Sequence, residues 1–261
     1  MLIFSWLIIF LLFLCPPNNS MLQHSRAIVL KSIKYGETSL IVHLLTESFG
    51  RRHIIVNGVR KSKSSQPYIL FQPGSIIELQ LYFQENKQLL RAKDIKFAYQ
   101  FTHVELDIRR TAIRSFMVEL VEKTIRDHEI GSLHFALLFE YLKWIDQVDA
   151  PLTHLSGHFM LQLSSCLGFM PHGEWSEQSP YFNFKEGIFT QTDVVNSSID
   201  SECSKYLYQL ISIPIPEWDN LIVSSAVRRK FIVEMIQFFK YHNESMGTIH
   251  SHEIFKIIFE A

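Results

Sequence analysis

The sequence predicts an α+β protein, with an OB-like five-stranded β-barrel at its N-terminal side followed by an all-helical C-terminal domain. Two changes along the chain carry that reading. Between Arg26 and Tyr99 the apolar residues come in short runs divided by turn signals. From Glu105 they recur at three- and four-residue spacing instead. Charge divides at the same place: residues 21–104 hold 12 Lys and Arg against 5 Asp and Glu, and residues 105–261 hold 13 against 21. The net charge of -1 therefore conceals a basic first part and an acidic remainder, which suggests two units with different partners. The 47% hydrophobic and 20% charged composition is that of a folded globular chain and excludes a disordered or fibrous one.

Five strand-length runs rich in β-branched and aromatic residues follow one another, at Ala27–Ser32, Ser39–Leu45, His53–Val56, Ile76–Phe83 and Leu89–Phe97. Tyr35-Gly36, Phe49-Gly50, Asn57-Gly58 and Pro73-Gly74 separate them as turns. Five short strands in so little chain fit a small closed barrel, of which the OB type is the commonest. Gln66 to Gln72 has room for a short helix between the third and fourth strands. Helices are expected over 105–126, Ser132–Val148 and Thr153–Gly168, with breaks at Pro151 and Gly168–Pro171. Residues 170–198 read as a polar, aromatic-rich irregular insertion with short strands at Tyr181–Phe184 and Gly187–Thr190. Helices resume at Ser201–Ile211, Ser224–His242 and Ser251–Phe259. The expected division is a leader at 1–20, a barrel domain at 21–102 and a helical domain at 103–261.

Leu2 to Cys15 is almost uninterrupted apolar sequence, ended by Pro16, Pro17, Asn18, Asn19 and Ser20. No basic residue precedes it, as a signal peptide would require, and it falls short of the roughly 20 residues that span a bilayer. The favoured reading is translated upstream sequence with the working start at Met21. The competing one is a membrane-tethered or exported structural protein anchored by residues 1–15. Cys15, Cys166 and Cys203 form no CxxC pair, which suits a reducing cytoplasm.

The stretch from Phe49 to Ser65 places basic clusters on both sides of a strand, with Gly58 in a turn and serines behind it. Cations there would neutralise backbone phosphates, and backbone amides would position more of them. Arg51, Arg52, Arg60, Lys61 and Lys63 are the expected DNA contacts, extended by Lys31 and Lys34 from the first strand. Tyr35, beside a glycine, is the expected base-stacking aromatic. His154 and His158 share a helical face at i,i+4, a spacing a metal can use, but no Glu of a zinc-protease motif lies between them and no third ligand is evident. A metal-dependent enzyme built on scattered histidines is thus a weak rival. Neither a Walker loop nor G-x-S-x-G nor G-x-G-x-x-G occurs, so no catalytic residue is assigned.

The order Ala27-Ile28-Val29-Leu30, Tyr35-Gly36-Glu37, Leu44-Leu45-Thr46, Gly50, Gly58-Val59-Arg60-Lys61, Ser64 and Gln72-Pro73 resembles the N-terminal domain of the RecO family. Tyr241-His242 followed by Ser251-His252-Glu253-Ile254 resembles that family's closing helices. The resemblance spans 21–261. It implies a recombination mediator that binds single- and double-stranded DNA, anneals complementary strands and cooperates with RecR and the C-terminal tail of single-stranded-DNA-binding protein in RecA loading. Family members also receive that acidic, Phe-ended tail in a hydrophobic pocket with basic neighbours, for which Arg228 and Lys230 are the nearest candidates here. Many carry a zinc-binding cysteine cluster around the segment matching 166–203. Cys166, His172 and Cys203 are too few and too scattered for a closed tetrahedral site, so no metal or other cofactor is expected. Trp175, Tyr181, Phe182 and Phe184 are expected to hold the segment by packing.

Overall fold

A computed structural model describes residues 21–60, 67–84, 87–126 and 132–253. Strands β1 (Met21–Tyr35), β2 (Ser39–Thr46), β3 (Gly50–Val56), β4 (Ile76–Phe83) and β5 (Leu89–Tyr99) close into a barrel in the order β1-β2-β3-β5-β4. Every neighbouring pair is antiparallel except β3 with β5. A short 3₁₀ helix, Tyr68–Phe71, lies between the third and fourth strands, within the stretch expected to hold a helix. Alternate side chains enter the barrel, where Val29, Leu40, Val42, Leu44, Ile54, Ile77, Leu79 and Leu81 are buried with Phe71. β1 is longer than its apolar run because Met21 to Arg26 pairs with β4 and Ile33 to Tyr35 with β2. Backbone pairing, which side-chain type does not report, extends the strand at both ends.

The helices are α1 (Ile108–Thr124), α2 (Ser132–Trp144), α3 (Leu152–Cys166), α4 (Ser201–Ser212) and α5 (Ser225–His242). Three of them start at a side-chain cap: Asp107 accepts from the Arg109 amide, Asp200 from those of Glu202 and Cys203, and Ser224 from that of Val227. Between α3 and α4 the chain forms a small sheet of β6 (Tyr181–Asn183), β7 (Ile188–Thr190) and β8 (Ser198–Ile199), in the order β7-β6-β8. Phe182 and Phe184 are buried against Phe238 of α5, with ring centroids 5.4 and 5.5 Å away, while Trp175 and Tyr181 are half-buried. Only the first residues of the expected helix Ser251–Phe259 are described, and the leader lies outside the described residues. No described helix is long and apolar enough to cross a membrane.

The helical core reaches into the barrel wall. Ile28, Leu30, Leu45 and Ile76 are barrel residues buried in one cluster with Phe116, Met117 and Leu120 of α1. A shift of register between Val29 and Lys31 makes this possible, because the extra residue leaves both Leu30 and Lys31 outside the barrel interior. Leu30 is covered by the helices and Lys31 stays exposed. Gly74 has φ +87, and a Cβ there would come within 2.7 Å of the Arg114 stem, so the turn before β4 presses closely on α1.

Polar groups complete the join at chain ends. Arg51 donates from Nη1 to the carbonyls of Glu122 and Ile125, each at 2.8 Å, and its Nη2 lies 3.5 Å from the Glu122 carboxylate. A barrel arginine thereby occupies the carbonyl end of α1, where a cation is favoured. Arg26 forms a two-point pair with Glu47, at 2.8 and 2.5 Å, and its guanidinium sits 4.7 Å from the Phe139 ring centroid of α2. Helix α2 ends at Trp144, earlier than the expected Val148. Arg110 takes up the carbonyls of Ile145, Gln147 and Val148, and Asp146 turns toward the connection after β5. The Asp146 carboxylate accepts the amides of Thr102, His103 and Val104 and the Tyr99 hydroxyl. Burial alone would raise its pKa, but these donors outweigh burial and hold it below the usual carboxylate value.

Asp146→Ala should therefore cost about 3 kcal/mol in urea unfolding at pH 7, since it strands several donors at the barrel–helix connection. The carboxylate's contribution is complete above its unfolded value of about 3.9 and fades as pH falls through the lower folded value, so the wild-type advantage should shrink below about pH 4. Arg51→Ala should cost about 1–3 kcal/mol by the same measurement.

Candidate nucleic-acid interface

Strand alternation divides the outer barrel wall into rows across β1, β2, β3 and β5. Ile28, Leu45 and Arg51 stand side by side and are turned toward the helices. The next row is Lys31, His43, His53 and Leu89. Beyond it come Ile33, Ile41, Ile55 and Arg91, and at the rim Tyr35 opposite Ser39. Lys31, Ile33, Tyr35, Leu89 and Arg91 are exposed, while Ile41, His43, His53 and Ile55 are half-buried. The face thus combines cations at its sides with an apolar centre, which suits a phosphate chain carrying bases.

The rim is held by backbone geometry. Gly36 takes φ +57 in the turn after β1, a conformation glycine adopts at little cost. The Arg60 amide donates to Thr38 O at 3.1 Å, its Nη1 to Gly36 O at 3.3 Å, and Ser39 Oγ to Asn57 Oδ1 at 3.1 Å. The segment following β3 is thereby tied to the β1–β2 turn. Arg60, Lys34 and Tyr35 come to one end of the barrel, all exposed, with Tyr35 52% accessible. Glu37, also exposed, is the acidic residue in that turn.

The expected site residues separate into three groups. Lys31, Lys34, Tyr35 and Arg60 lie on the open face or its rim. Arg51 is engaged by α1, and Arg52 is 9% exposed, with its guanidinium 5.6 Å from the Phe83 ring centroid and Nη1 donating to Arg51 O. These two adjacent arginines thus face opposite sides of the barrel wall, and each is turned into packing. Lys61 and Lys63 lie outside the described residues. Residue-type reasoning passed over His43, His53 and Arg91. Alternation within β2 and β3 marks the histidines as outward-facing, whereas Arg91 joins the face through the parallel β3–β5 pairing.

The histidine rings are stacked, with centroids 4.0 Å apart and planes 12° from parallel. Burial, then the neighbouring His53, Arg51 and Lys31, push the His43 pKa down to about 4 against the opposing pull of Glu122.

A second concave site lies between α3, α4 and α5. It is a cavity of about 170 Å³ lined by Leu152, Gly157, Tyr206, Phe231 and Ile232, with Arg109, Arg228 and Arg229 at its polar edge. Lys230, one residue on, points elsewhere and pairs with Asp200 at 2.6 Å.

The other candidate ligands have structural partners. His154 Nδ1 meets the Tyr206 hydroxyl at 2.8 Å, and His158 Nδ1 meets that of Tyr141 at 2.5 Å. Burial pushes His158 down to about 4. His242 Nε2 lies 3.0 Å from Phe184 O, fastening the end of α5 to the residue after β6. Among the described residues, Asp200, Cys203 and Glu234 form the one cluster of three groups with metal-ligand atoms. The Lys230 ammonium already sits on Asp200, and burial raises the Cys203 thiol away from the thiolate a metal needs. Cys166 and His172 do not join that cluster. This donor set does not fit the cysteine-rich zinc site that the family resemblance implies.

A family model described as Recombination protein O N terminal matches residues 21–101, and one described as Recombination protein O C terminal matches residues 105–245. The chain is similar to the DNA repair protein RecO of Flavobacterium johnsoniae, with 32% identity covering 90% of this chain and 98% of that protein. It is also similar to the DNA repair protein RecO of Flavobacterium psychrophilum, with 28% identity over 90% and 98% of the two chains. The Bacteroides fragilis protein of that name shares 26% identity over 92% of this chain and all of its own length. With both family models matched in order along the barrel and the helices, this chain belongs to the RecO family of DNA repair proteins.

Proposed function

We propose that the protein is a recombination mediator whose barrel, within residues 21–102, binds single- and double-stranded DNA through its open face. The observation that carries this reading is the juxtaposition of Lys31 and Arg91 with the exposed Ile33 and Tyr35 on the outer face, with Arg60 and Lys34 at the end of the barrel beside them. Cations along the edges neutralise backbone phosphates and release counterions, which gives affinity without sequence preference. Ile33, Ile41, Ile55 and Tyr35 offer an apolar floor to unstacked bases. Lys61 and Lys63 lie within three residues after Arg60 in the chain and belong to the proposed contact set. Two strands held with their charge partly neutralised anneal more readily, so binding energy rather than covalent chemistry does the work. Such a protein acts in the cytoplasm, in concert with RecR and in support of RecA loading.

The helical unit, residues 103–261, recruits partners in this reading. An apolar cavity edged by Arg109, Arg228 and Arg229 suits an acidic peptide that ends in an aromatic residue. We assign it to the C-terminal tail of single-stranded-DNA-binding protein. Of the two residues expected there, Arg228 lines this cavity, whereas Lys230 is paired with Asp200, so the proposed contacts are Arg109, Arg228 and Arg229.

Fluorescence anisotropy with labelled oligonucleotides across a salt series tests the first assignment. Affinity should fall with salt at a slope of about 0.7 per phosphate contact on single strands. The triple variant Lys31→Ala, Lys34→Ala, Arg60→Ala should bind more weakly and lose about 2 from that slope. Unchanged affinity and slope would remove the open face as the binding site. For the second, Arg229→Glu should weaken binding of an acidic Phe-ended peptide about tenfold while leaving oligonucleotide binding within about twofold.

A further inference from the structure

We propose that the stacked His43–His53 pair is a proton-linked phosphate contact, which takes up a proton when DNA binds and so makes binding tighten as pH falls. This rests on the reading of the open face as a DNA site. The two residues are direct partners on β2 and β3, between Lys31 on one side and Leu89 on the other. Rings 4.0 Å apart and nearly parallel share one surface, so a charge on either is felt by both.

The charged groups facing the pair are mostly cationic. From β1 comes Lys31, from β3 itself Arg51, and from β5 Arg91 in the next row. From α1 comes Glu122, whose carboxylate lies 3.5 Å from Arg51 and 3.3 Å from Lys123. Burial first, and then His53, Arg51 and Lys31, which one carboxylate already shared with two cations does not offset, push the His43 pKa down to about 4 in the free protein. A phosphate seated beside Lys31 supplies the missing negative charge. It favours the imidazolium, and the imidazolium in turn donates a charge-assisted hydrogen bond to phosphate oxygen.

The sign follows from linkage. The pair's pKa is higher in the complex than in the free protein, so the complex binds more protons and affinity rises as pH falls between the two values. If phosphate restores one imidazole to an unperturbed value of about 6.5, affinity should rise about tenfold from pH 8 to pH 5.5. Below the free-state value, about 4 for His43, no further gain is expected.

The test is anisotropy with an oligothymidylate, whose bases do not titrate in this range, at constant ionic strength from pH 8 to 5.5. Wild type should gain about tenfold in affinity on acidification. The double variant His43→Gln, His53→Gln should lose that gain, its affinity staying flat from pH 8 to 5.5 whatever its value at pH 8. Binding that is independent of pH in wild type, or a gain kept by the double variant, overturns the proposal and leaves the DNA site standing. No binding at any pH, even at low salt, overturns the DNA site and the proposal with it. A readout free of substitutions is imidazole NMR of the wild-type protein. The His43 and His53 titrations should move up by at least about one pH unit when the oligonucleotide is added, and unmoved titrations overturn the proposal.

Discussion

The open face of the barrel is set by the row beside it. Ile28, Leu30, Leu45 and Ile76 pack into the helical core, and because successive strand residues alternate sides, burying that row fixes which neighbours remain outside. A slip of one residue in β2 would put Ile41 and His43 inside the barrel and expose Leu40, Val42 and Leu44. Burying four aliphatic side chains is worth on the order of 1.5–3 kcal/mol each. That exceeds what the Arg51 hydrogen bonds to α1 contribute, so the apolar wall is the larger part of the join and Arg51 adds to it at the end of α1. The register error at Val29 and Lys31 lets one strand serve both purposes, with Leu30 given to the helices and Lys31 to the open face.

Charge reads differently in three dimensions. The excess of basic residues before residue 105 suggests a single cationic patch, but several of those residues are used structurally. Arg26 is held by Glu47, Arg51 by the end of α1, Arg52 by the barrel's end near Phe83, and Lys96 by Glu78 at 2.6 Å. The cations left on the exposed face are fewer and lie around apolar side chains. In the helical unit, Arg110 and Arg228 likewise bond to backbone carbonyls near helix ends. Much of the chain's basic character therefore joins elements together rather than meeting solvent.

The fold class was legible because period two and period 3.6 are written directly in the residues, and turns at Gly36, Gly50 and Gly74 all carry positive φ. The candidate site was only half legible. Lys31, Lys34, Tyr35 and Arg60 follow from charge and turn position. Arg51 and Arg52 sit in an equally basic motif, yet their fates depend on which side of β3 each faces and on α1 arriving from seventy residues away. Arg91 enters through a parallel pairing of β5 with β3, a long-range contact that no local pattern announces. The arginine-edged cavity draws on α1, α3, α4 and α5 together, and no single stretch of sequence outlines it.

The central claim is that DNA lies across the outer face of β1, β2, β3 and β5. Hydroxyl-radical footprinting of the protein, with and without a saturating oligonucleotide, tests it at the level of side chains. The account predicts slowed oxidation at Ile33, Tyr35, Ile41, His43 and Leu89, with exposed residues of the helical unit such as Leu133 and Ile222 unchanged. Protection confined to the helical unit, with the barrel face oxidised as fast as in the free protein, would contradict it.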